Sequence, residues 1–380
     1  LTPWLVWGER QAVLFDLGAR RFYIFGLVLY PQDFIYLTGL LVISALTLFL
    51  ATAVAGRVWC GYTCPQTVYS EIFMWIERVI EGDRTRRMKL DAGDASLSKW
   101  TKKTLKHGVW LAVALWTGYT FVGYFSPIRE LAQDFLHWRM GPWETFWVGF
   151  YGLATYGNAG FLREQVCKYM CPYARFQGAM FDKDTLIVSY DNARGEPRGA
   201  RSKKIDHKAA GLGACVDCSL CVQVCPTGID IRKGLQYECI GCAACVDVCD
   251  TVMDKMNYPR GLIRYTTENA LTKNWNAAEI WQRLRRPRVL IYLAAWVLLC
   301  AGLLTSLALR TPYKLDAVRD RSVLARIVAG GQLENVYRLQ VMNATERNQR
   351  FEISAQGLAG LSLPSTAQAP VEPAPHPLVL

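Results

Sequence analysis

The sequence predicts an α-helical polytopic membrane bundle with an inserted, cysteine-rich cytoplasmic domain and a C-terminal β-sandwich. Three observations lead to this prediction: long charge-free segments, basic residues concentrated in alternate loops, and two regularly spaced runs of cysteine. The chain has 380 residues, 52% apolar and 20% charged, with 13 cysteines, 13 tryptophans and a net charge of +11. This composition excludes intrinsic disorder, which requires low hydrophobicity and high charge. It is also untypical of a simple cytosolic enzyme.

Four segments are candidates for membrane spans. The clearest is 34–55, which has 22 consecutive residues without a charge and, at about 1.5 Å per residue, covers a hydrocarbon core of about 30 Å. Segments 107–125 and 289–309 are also apolar, and the latter lies between Arg288 and Arg310. Segment 144–162 contains four glycines and several polar residues, so we expect it to face other helices rather than lipid. The alternative for 144–162 is a buried amphipathic segment.

The basic residues predict the orientation of these spans. Segments 56–106 and 163–288 hold ten and twenty Lys or Arg, whereas 1–31 and 126–143 hold three and two. Because positive charge stays on the cytoplasmic side of a membrane, we expect both basic segments to be cytoplasmic and the tail after residue 310 to lie outside. The net charge is therefore a topology signal, and nucleic acid is not an expected partner.

Two runs of cysteine repeat the same spacing. They read Cys215-x2-Cys218-x2-Cys221-x3-Cys225-Pro226 and Cys239-x2-Cys242-x2-Cys245-x3-Cys249. In this pattern three closely spaced thiolates bind one cubane cluster, and the fourth cysteine of each run binds the other cluster. We therefore expect one [4Fe–4S] cluster on a first cysteine set (Cys215, Cys218, Cys221, Cys249) and another on a second cysteine set (Cys239, Cys242, Cys245, Cys225).

The alternatives to iron–sulfur clusters fit this segment less well. Structural zinc usually pairs two CxxC knuckles, and disulfides do not suit the reducing cytosol in which we place the segment. One departure from the repeat is Asp250, which follows Cys249 where the first run has Pro226. Since Asp250 replaces no ligand, the segment is predicted to be a 2[4Fe–4S] ferredoxin-like domain that transfers electrons.

A shorter motif, C-x-Y-x-C-P, occurs at 60–65 and again at 167–172, each time directly after a predicted span. We call these segments the first and second CP turns. Proline disfavours helix at the residue before it and suits the first position of a helix, so we expect Cys64 and Cys171 in a turn that opens a helix. If the two turns meet, their four thiols form a soft site that selects Cu(I), zinc or an iron–sulfur cluster, with Met170 as a nearby thioether. A purely structural thiol pair is the alternative.

Beyond the last predicted span the hydrophobic pattern changes to alternation. Tyr337, Leu339 and Val341 alternate with polar residues, and so do Phe351 and Ile353 after a turn at 343–346. This pattern predicts a β-hairpin in a small sandwich without catalytic chemistry. The domains are then a membrane domain at 1–190, the ferredoxin-like domain with its linkers at 191–286, the last transmembrane helix at 287–310 and an outer domain at 311–380.

Several motifs together resemble the CcoG family, also called FixG or RdxA. They include WCGYTCPQ, EIFMWIER, FVGYFSPIREL, ATYGNAGF, EQVCKYMCPYARFQGAMFDKDTLI and GLQYECIGCAACVDVCD, within a resemblance that runs from residue 1 to about 355. The resemblance implies a multi-pass accessory protein of the bacterial inner membrane that assembles cbb-type haem–copper oxidases. It also implies a periplasmic, immunoglobulin-like C-terminal domain. Family members carry a further upstream span ending near residues 1–3, so we expect this chain to lack its true start.

The activity that the resemblance implies is reduction of Cu(II) to Cu(I). Cys60, Cys64, Cys167 and Cys171 match the family's CxxxCP motifs and would be the catalytic, copper-binding thiols, with Met170 as a further ligand. The expected partners are membrane lipid, an unidentified electron donor, and cbb-type oxidase subunits or copper-delivery proteins; a homo-oligomer stays open. The competing functions are a quinol-linked electron-transfer subunit and a non-redox assembly scaffold, and the CP turns have a third cluster as an alternative occupant.

Overall fold

The structure is a computed structural model that describes residues 2–203, 209–311, 313–319, 325–328, 330–344, 349–350, 357, 361, 370–371 and 378–379. The α-helices in these residues are α1 (Phe34–Ala55), α2 (Val58–Tyr62), α3 (Pro65–Glu81), α4 (Arg84–Ala92), α5 (Leu97–Val122), α6 (Ile128–Leu136), α7 (Pro142–Gly157), α8 (Pro172–Met180), α9 (Asn192–Gly195), α10 (Leu220–Gln223), α11 (Ala244–Met256), α12 (Glu268–Lys273), α13 (Ala277–Gln282) and α14 (Pro287–Ala308). Two π-helical turns cover Asn158–Leu162 and Val166–Met170.

The strands are short and form small antiparallel sheets. They are β1 (Val6–Trp7), β2 (Arg10–Gln11), β3 (Val13–Asp16), β4 (Arg21–Ile24), β5 (Leu27–Leu29), β6 (Ile187–Tyr190), β7 (Ile263–Thr266), β8 (Tyr313–Arg319), β9 (Arg326–Val328), β10 (Gln332–Glu334), β11 (Tyr337–Asn343), β12 (Gln349–Arg350), β13 (Pro370–Val371) and β14 (Leu378–Val379).

Among the described residues, two helices are long and apolar enough to cross a membrane, Pro31–Ala55 and Pro287–Ala308. The first includes α1, whose entry is stabilised by the Asp33 carboxylate accepting a hydrogen bond from the Tyr30 backbone N–H at 3.0 Å. The second is α14, which begins at Pro287 in the favoured first position of a helix. These two segments correspond to two of the four predicted spans.

The other two predicted spans are also helical. Among the described helices, however, neither of these two is both long enough and apolar enough to cross a membrane by itself. Helix α5 begins at Leu97, ten residues before the predicted span, and so includes a lysine-rich first half. Helix α7 has only 16 residues before it passes into the π-helical turn Asn158–Leu162. The four-span bundle and its orientation therefore stay predictions.

The chain divides into two compact units, which differ from the predicted domain boundaries. The first unit comprises Leu1–Gly39, Gly118–Gly149 and Gly302–Leu380, and the second comprises Leu40–Thr117 and Phe150–Ala301. Each unit combines segments that are distant in sequence. The predicted boundaries, which follow chain order, stay predictions.

In the first unit, the end of the N-terminal sheet β3-β4-β5 packs against the end of β11. Val28, Tyr30 and Met342 are buried together, and the Tyr30 hydroxyl donates to the Asn343 backbone oxygen at 2.7 Å. Asp33 is almost fully buried and forms an ion pair with Arg310 at 2.7 Å and a second one with Lys314. These contacts hold the entry to α1 against the residues that follow α14.

The C-terminal part of this unit is β-structured, as the alternating pattern predicts. Strand β11 covers Tyr337, Leu339 and Val341, and it lies between β8 and β14. The described pair Gln349–Arg350 forms β12 and pairs with β13. The predicted strand residues Phe351 and Ile353 lie outside the described residues. The strand at 337–343 is therefore confirmed, and its pairing in a hairpin stays a prediction.

The second unit has two cores. One surrounds α10, α11 and the β6-β7 pair, and it buries Cys215, Cys221, Met253, Leu262 and Ile263. The other joins α3, α5 and the π-helical turn Asn158–Leu162 through Phe73, Trp110 and Ala159. The first core therefore supports the ferredoxin-like cysteines, and the second supports the helix that follows the first CP turn.

Candidate metal centres

The eight ferredoxin-like cysteines line two cavities. Cys225, Cys239, Cys242 and Cys245 line one of them, together with Cys221. Cys215, Cys218, Cys221 and Cys249 line the other. The structure thus brings together the same two sets of four cysteines that the spacing predicts, with the fourth cysteine of each run crossing to the other cavity.

The two cysteine loops share an unusual backbone conformation around their middle cysteine. Asp217 and Ser219 flank Cys218 with φ of 52° and 56°, and Gly241 and Ala243 flank Cys242 with φ of 69° and 59°. Non-glycine residues rarely adopt positive φ. Positive φ at equivalent positions of both loops therefore indicates that each loop needs the same tight turn around its middle cysteine. Successive amides in such turns form concave N–H surfaces of the kind that bind iron–sulfur clusters.

The surroundings of the thiols in the second cysteine set fit a [4Fe–4S] cluster. Backbone N–H groups of Gly241 and Ala244 donate to the sulfurs of Cys239 and Cys242, while Ile229, Ile231 and Ile240 supply apolar walls. N–H donors to sulfur and a low-polarity shell are the means by which proteins tune such clusters.

Burial raises the pKa of both Cys245 and Cys249 to about 12. At neutral pH these thiols are therefore protonated before metal binds, and cluster binding must release their protons.

Both CP turns have the local structure that their proline predicts. Cys64 is the N-cap of α3 and Cys171 is the N-cap of α8, with Pro65 and Pro172 at the first helical positions. The expectation for these two cysteines is confirmed. The residues before them differ, since the first turn is α-helical over Val58–Tyr62 and the second is π-helical over Val166–Met170.

The two CP turns lie close to each other. The Cys60 thiol donates to the Gln177 side-chain oxygen of α8 at 3.2 Å. Burial, followed by the electrostatic effect of Cys64, raises the pKa of Cys60 to about 11, and the Cys167 thiol contributes to this shift. For Cys167 burial is again the largest cause, followed by Cys64 and Cys171, and its pKa is also about 11. The structure therefore brings the four predicted copper thiols into one neighbourhood.

The fifth predicted ligand of this site lies in a different environment. Met170 is 61% exposed, whereas Cys60, Cys64, Cys167 and Cys171 are all partly buried. Within the part of the chain that the structure describes, no three His, Cys, Asp or Glu side chains converge tightly enough to hold a single metal ion. All 13 cysteines are described, and none of them forms a disulfide.

Arg57 connects the first CP turn to its surroundings. Its side chain is buried, and one guanidinium nitrogen donates to the backbone oxygens of Tyr237 and Cys239, at 2.5 and 3.1 Å. The other terminal nitrogen donates to the Ala174 oxygen at 2.6 Å. Because a buried cation needs such partners, Arg57 fixes the segment before Cys60 against both α8 and the second cysteine set.

The first CP turn contacts the loop of the second cysteine set directly. A Cβ atom on Gly61 would lie 2.9 Å from the Gly241 oxygen and 3.0 Å from the Cys242 Cα. The Tyr62 hydroxyl donates to the Cys242 backbone oxygen at 3.4 Å. The Tyr265 hydroxyl lies 3.2 Å from that of Tyr62 and 2.5 Å from the Gly241 oxygen.

The second CP turn reaches the same cysteine set through a side chain. The Lys168 ammonium donates to the Thr227 backbone oxygen at 2.7 Å, and the Thr227 hydroxyl lies 3.3 Å from the Cys225 sulfur. Both turns therefore contact loops of the second cysteine set.

A buried ion network orients the helix that follows the first turn. Glu77 of α3 is buried and pairs with Arg163 at 2.9 Å, with Lys106 at 3.7 Å and also with Arg87. Arg163 lies a few residues before the second CP turn, so Glu77 links the structures that carry the two turns. Removing one member of such a network leaves buried charge without compensation.

Sequence reasoning missed the residues that fix the two turns in place. Arg57, Gly61 and Lys168 join the turns to the loops of the second cysteine set, and Gln177 joins the first turn to α8. The two motifs differ at one position between cysteine and tyrosine, where the first has Gly61 and the second has Lys168. This difference is the only hint that the sequence offers. The sequence alone does not indicate what either residue contacts.

Comparison with known proteins places these features in a family. Residues 162–268 match the family model of a 4Fe-4S dicluster domain, 37–81 that of a 4Fe-4S binding domain, and 303–376 that of the Ig-like fold at the C-terminus of FixG. The protein is therefore an iron–sulfur electron-transfer protein with a C-terminal immunoglobulin-like domain and two helices suited to membrane association.

Full-length relatives define the family further. The nitrogen fixation protein FixG of Rhizobium meliloti is 39% identical over 97% of this chain and 76% of its own length. The proteins RdxA and RdxB of Cereibacter sphaeroides are each 40% identical, over 95% and 96% of this chain and 77% and 78% of their own lengths. No solved structure matches the chain. The chain belongs to the FixG/RdxA family, as the motif resemblance predicts.

Proposed function

We propose that this protein is a cupric reductase, which converts Cu(II) to Cu(I) at the thiols of the two CP turns for the assembly of cbb-type haem–copper oxidase. The single observation that carries the proposal is the position of these thiols. Both turns contact loops of the second cysteine set, through Gly61 in the first and Lys168 in the second. A soft sulfur site thus adjoins an electron-transfer domain.

The thiols supply the chemistry that favours the product. Thiolate ligands select Cu(I) over harder divalent ions, so Cys60, Cys64, Cys167 and Cys171 favour reduction of the copper that they bind. A bound, reduced cluster would supply one electron, so that one Cu(II) would become one Cu(I) while one cluster is oxidised. The S–H bonds of the coordinating thiols would break, and their protons would pass to solvent. Cys60 and Cys167, with pKa values of about 11, release protons when copper binds.

The first test is Cu(II) reduction by anaerobically purified protein whose clusters are reduced with dithionite before the excess is removed. Wild type is expected to form Cu(I) while its clusters are reoxidised. The Cys60→Ala/Cys167→Ala variant is expected to keep its iron content but to show neither Cu(I) formation nor cluster reoxidation. Cys300→Ala is the matched control, because Cys300 lies within α14 outside both turns. Equal reduction by wild type and the double variant would contradict the proposal.

The same preparation distinguishes the competing occupant of the thiol site. Residues 37–81, which include Cys60 and Cys64, match a 4Fe-4S binding domain, and this favours a further cluster as the second candidate. A third cluster predicts that Cys60→Ala/Cys167→Ala lowers the iron and sulfide content, whereas a copper site predicts that both stay at the wild-type level.

The same double variant also tests the two competing functions. If the protein is a quinol-linked subunit, the variant should reduce copper normally but lose quinol oxidation. If it is a non-redox scaffold, neither copper reduction nor quinol oxidation should change.

The proposal includes a membrane topology with four spans and the domains at 1–190, 191–286, 287–310 and 311–380. The cysteine sets would be cytoplasmic and the Ig-like domain periplasmic, where it would meet oxidase subunits or copper-delivery proteins; the electron donor would bind on the cytoplasmic side. The charge distribution supports this orientation. Alkaline phosphatase fused after residue 380 should be active, and the same fusion after residue 200 should be inactive; the reverse result would invert the topology.

A further inference from the structure

We propose that Gly61 is a positioning residue, whose missing side chain lets the first CP turn lie directly against the backbone of the loop between Cys239 and Cys242. The inference rests on the proposed function, because it identifies the contact that sets the separation between the CP-turn thiols and the second cysteine set. Gly61 itself binds neither copper nor a cluster.

Position 61 requires glycine because there is no room for a side chain, and not because the backbone has an unusual conformation. Gly61 lies within α2 and is not among the glycines with positive φ, so any residue could adopt its backbone geometry. Glycine is unfavourable inside a helix relative to alanine. A Cβ atom here, however, would lie 2.9 Å from the Gly241 oxygen and 3.0 Å from the Cys242 Cα. Cβ atoms essentially never approach a neighbour more closely than 3.0 Å, so alanine must move the turn or the loop.

The opposing loop also has a glycine at the contact. Gly241 has a φ of 69°, and a Cβ atom on it would lie 3.3 Å from the Arg57 backbone oxygen. Two backbones therefore meet at this point without intervening side chains. Gly61 follows Cys60 in the chain and Gly241 precedes Cys242, so this non-bonded contact lies one residue from a CP-turn thiol and one residue from a cysteine of the second set.

The hydroxyl groups of Tyr62 and Tyr265 lie beside the glycine contact. Tyr62 donates to the Cys242 oxygen, and Tyr265 lies within hydrogen-bonding distance of both Tyr62 and the Gly241 oxygen. This arrangement fastens the loop to the turn at the point where the two backbones touch. A shift caused by a side chain at position 61 would therefore alter the surroundings of Cys242 in particular.

The test compares Gly61→Ala with Gly178→Ala in the full chain. Gly178 lies in α8, and the atoms nearest to its added Cβ are Tyr237 Cδ2 at 3.9 Å and Arg57 Nη2 at 4.0 Å, so alanine fits there without movement. Three quantities are measured in each variant: iron and sulfide content, the EPR spectrum of the dithionite-reduced protein, and the rate of cluster reoxidation by Cu(II).

Gly61→Ala is expected to keep the wild-type iron and sulfide content and to change the EPR signal of one cluster while leaving the other unchanged. Since a misplacement of about 1 Å can cost a reaction about 100-fold in rate, we expect copper-dependent reoxidation to slow by about 10- to 100-fold. Gly178→Ala should match wild type in all three measurements. An unchanged EPR spectrum together with an unchanged rate in Gly61→Ala would overturn the inference.

This design separates the inference from the proposed function. If wild type and Cys60→Ala/Cys167→Ala reduce copper equally, the proposed function fails, but the selective EPR change still decides whether Gly61 positions the loop. If Gly61→Ala loses iron, Tyr62→Phe decides, because it removes the hydroxyl contacts without adding volume. Tyr62→Phe should then retain its iron and alter the same single EPR signal, and a wild-type spectrum would overturn the inference.

Discussion

The first CP turn contacts the second cysteine set through its backbone, whereas the second CP turn contacts it through a long side chain. Gly61 lies against the Gly241–Cys242 backbone, and Lys168, at the equivalent position of the motif, reaches the Thr227 oxygen. The equivalent tyrosines differ as well, because Tyr62 bonds to the Cys242 oxygen and Tyr169 is 73% exposed. One motif thus produces a rigid contact and an adaptable one, and the two should respond differently to substitution.

The largest effect is expected from breaking the network that the two turns share. Glu77→Ala would leave Arg87 and Arg163 without their carboxylate partner, whereas Lys106 would keep its pair with Glu81 at 3.1 Å. Loss of one partner of a buried pair costs about 3 to 5 kcal/mol. We expect a decrease of about 3 kcal/mol in the free energy of unfolding, because Arg87 and Arg163 are partly exposed. Chemical denaturation in detergent would measure this decrease. Glu268→Ala, whose pair with Lys183 is exposed, is the control and should change little.

The next effect tests the asymmetry of the two turns by exchanging their central residues. Gly61→Lys places a long side chain where even a Cβ has no room, so we expect the second cysteine set to lose its cluster. Lys168→Gly removes one charged hydrogen bond, which contributes about 1.5 to 3 kcal/mol, without creating a clash. Iron analysis and EPR should therefore show a large loss for Gly61→Lys and near-complete retention for Lys168→Gly. Equal losses would show that the two contacts are equivalent.

A pH titration examines what the two turns have in common. Burial raises the pKa of Cys60 and Cys167 to about 11, so both thiols are protonated at neutral pH and must lose their protons to bind Cu(I). Raising the pH toward 11 favours the thiolates, and the affinity should rise by about tenfold per pH unit for each proton released. Competition with a Cu(I) chelator between pH 6 and 9 measures the slope. A flat profile in this range would contradict coordination by these two thiols.

The sequence predicts those parts of the site that depend on local chemistry. Cysteine spacing predicts the division into two sets, and proline chemistry predicts that Cys64 and Cys171 cap helices. The ligation of clusters and of copper by these cysteines stays a prediction. The contacts that join the first turn to α8 and to the second cysteine set depend on tertiary structure, because Cys60 and Gln177 are 117 residues apart and Arg57 and Tyr237 are 180 apart. No periodicity in the sequence specifies such pairs.

The smallest effect should come from substituting the two motif tyrosines, Tyr62 and Tyr169. They are equivalent in sequence, and their substitution shows whether they are also equivalent in structure. Tyr62→Phe removes a hydroxyl that contacts both the Cys242 oxygen and Tyr265, and a typical hydrogen bond contributes about 0.5 to 1.5 kcal/mol. Tyr62 is 53% exposed, so we expect the lower end of that range. Tyr169→Phe changes a more exposed hydroxyl and should have a smaller effect on stability and none on the cluster signals. A double-mutant cycle of Tyr62→Phe with Tyr265→Phe measures the coupling. If the two hydroxyls do not interact, the losses of stability in the single variants will add up in the double variant. If they interact as in the structure, the double variant will lose less stability than the sum of the single variants.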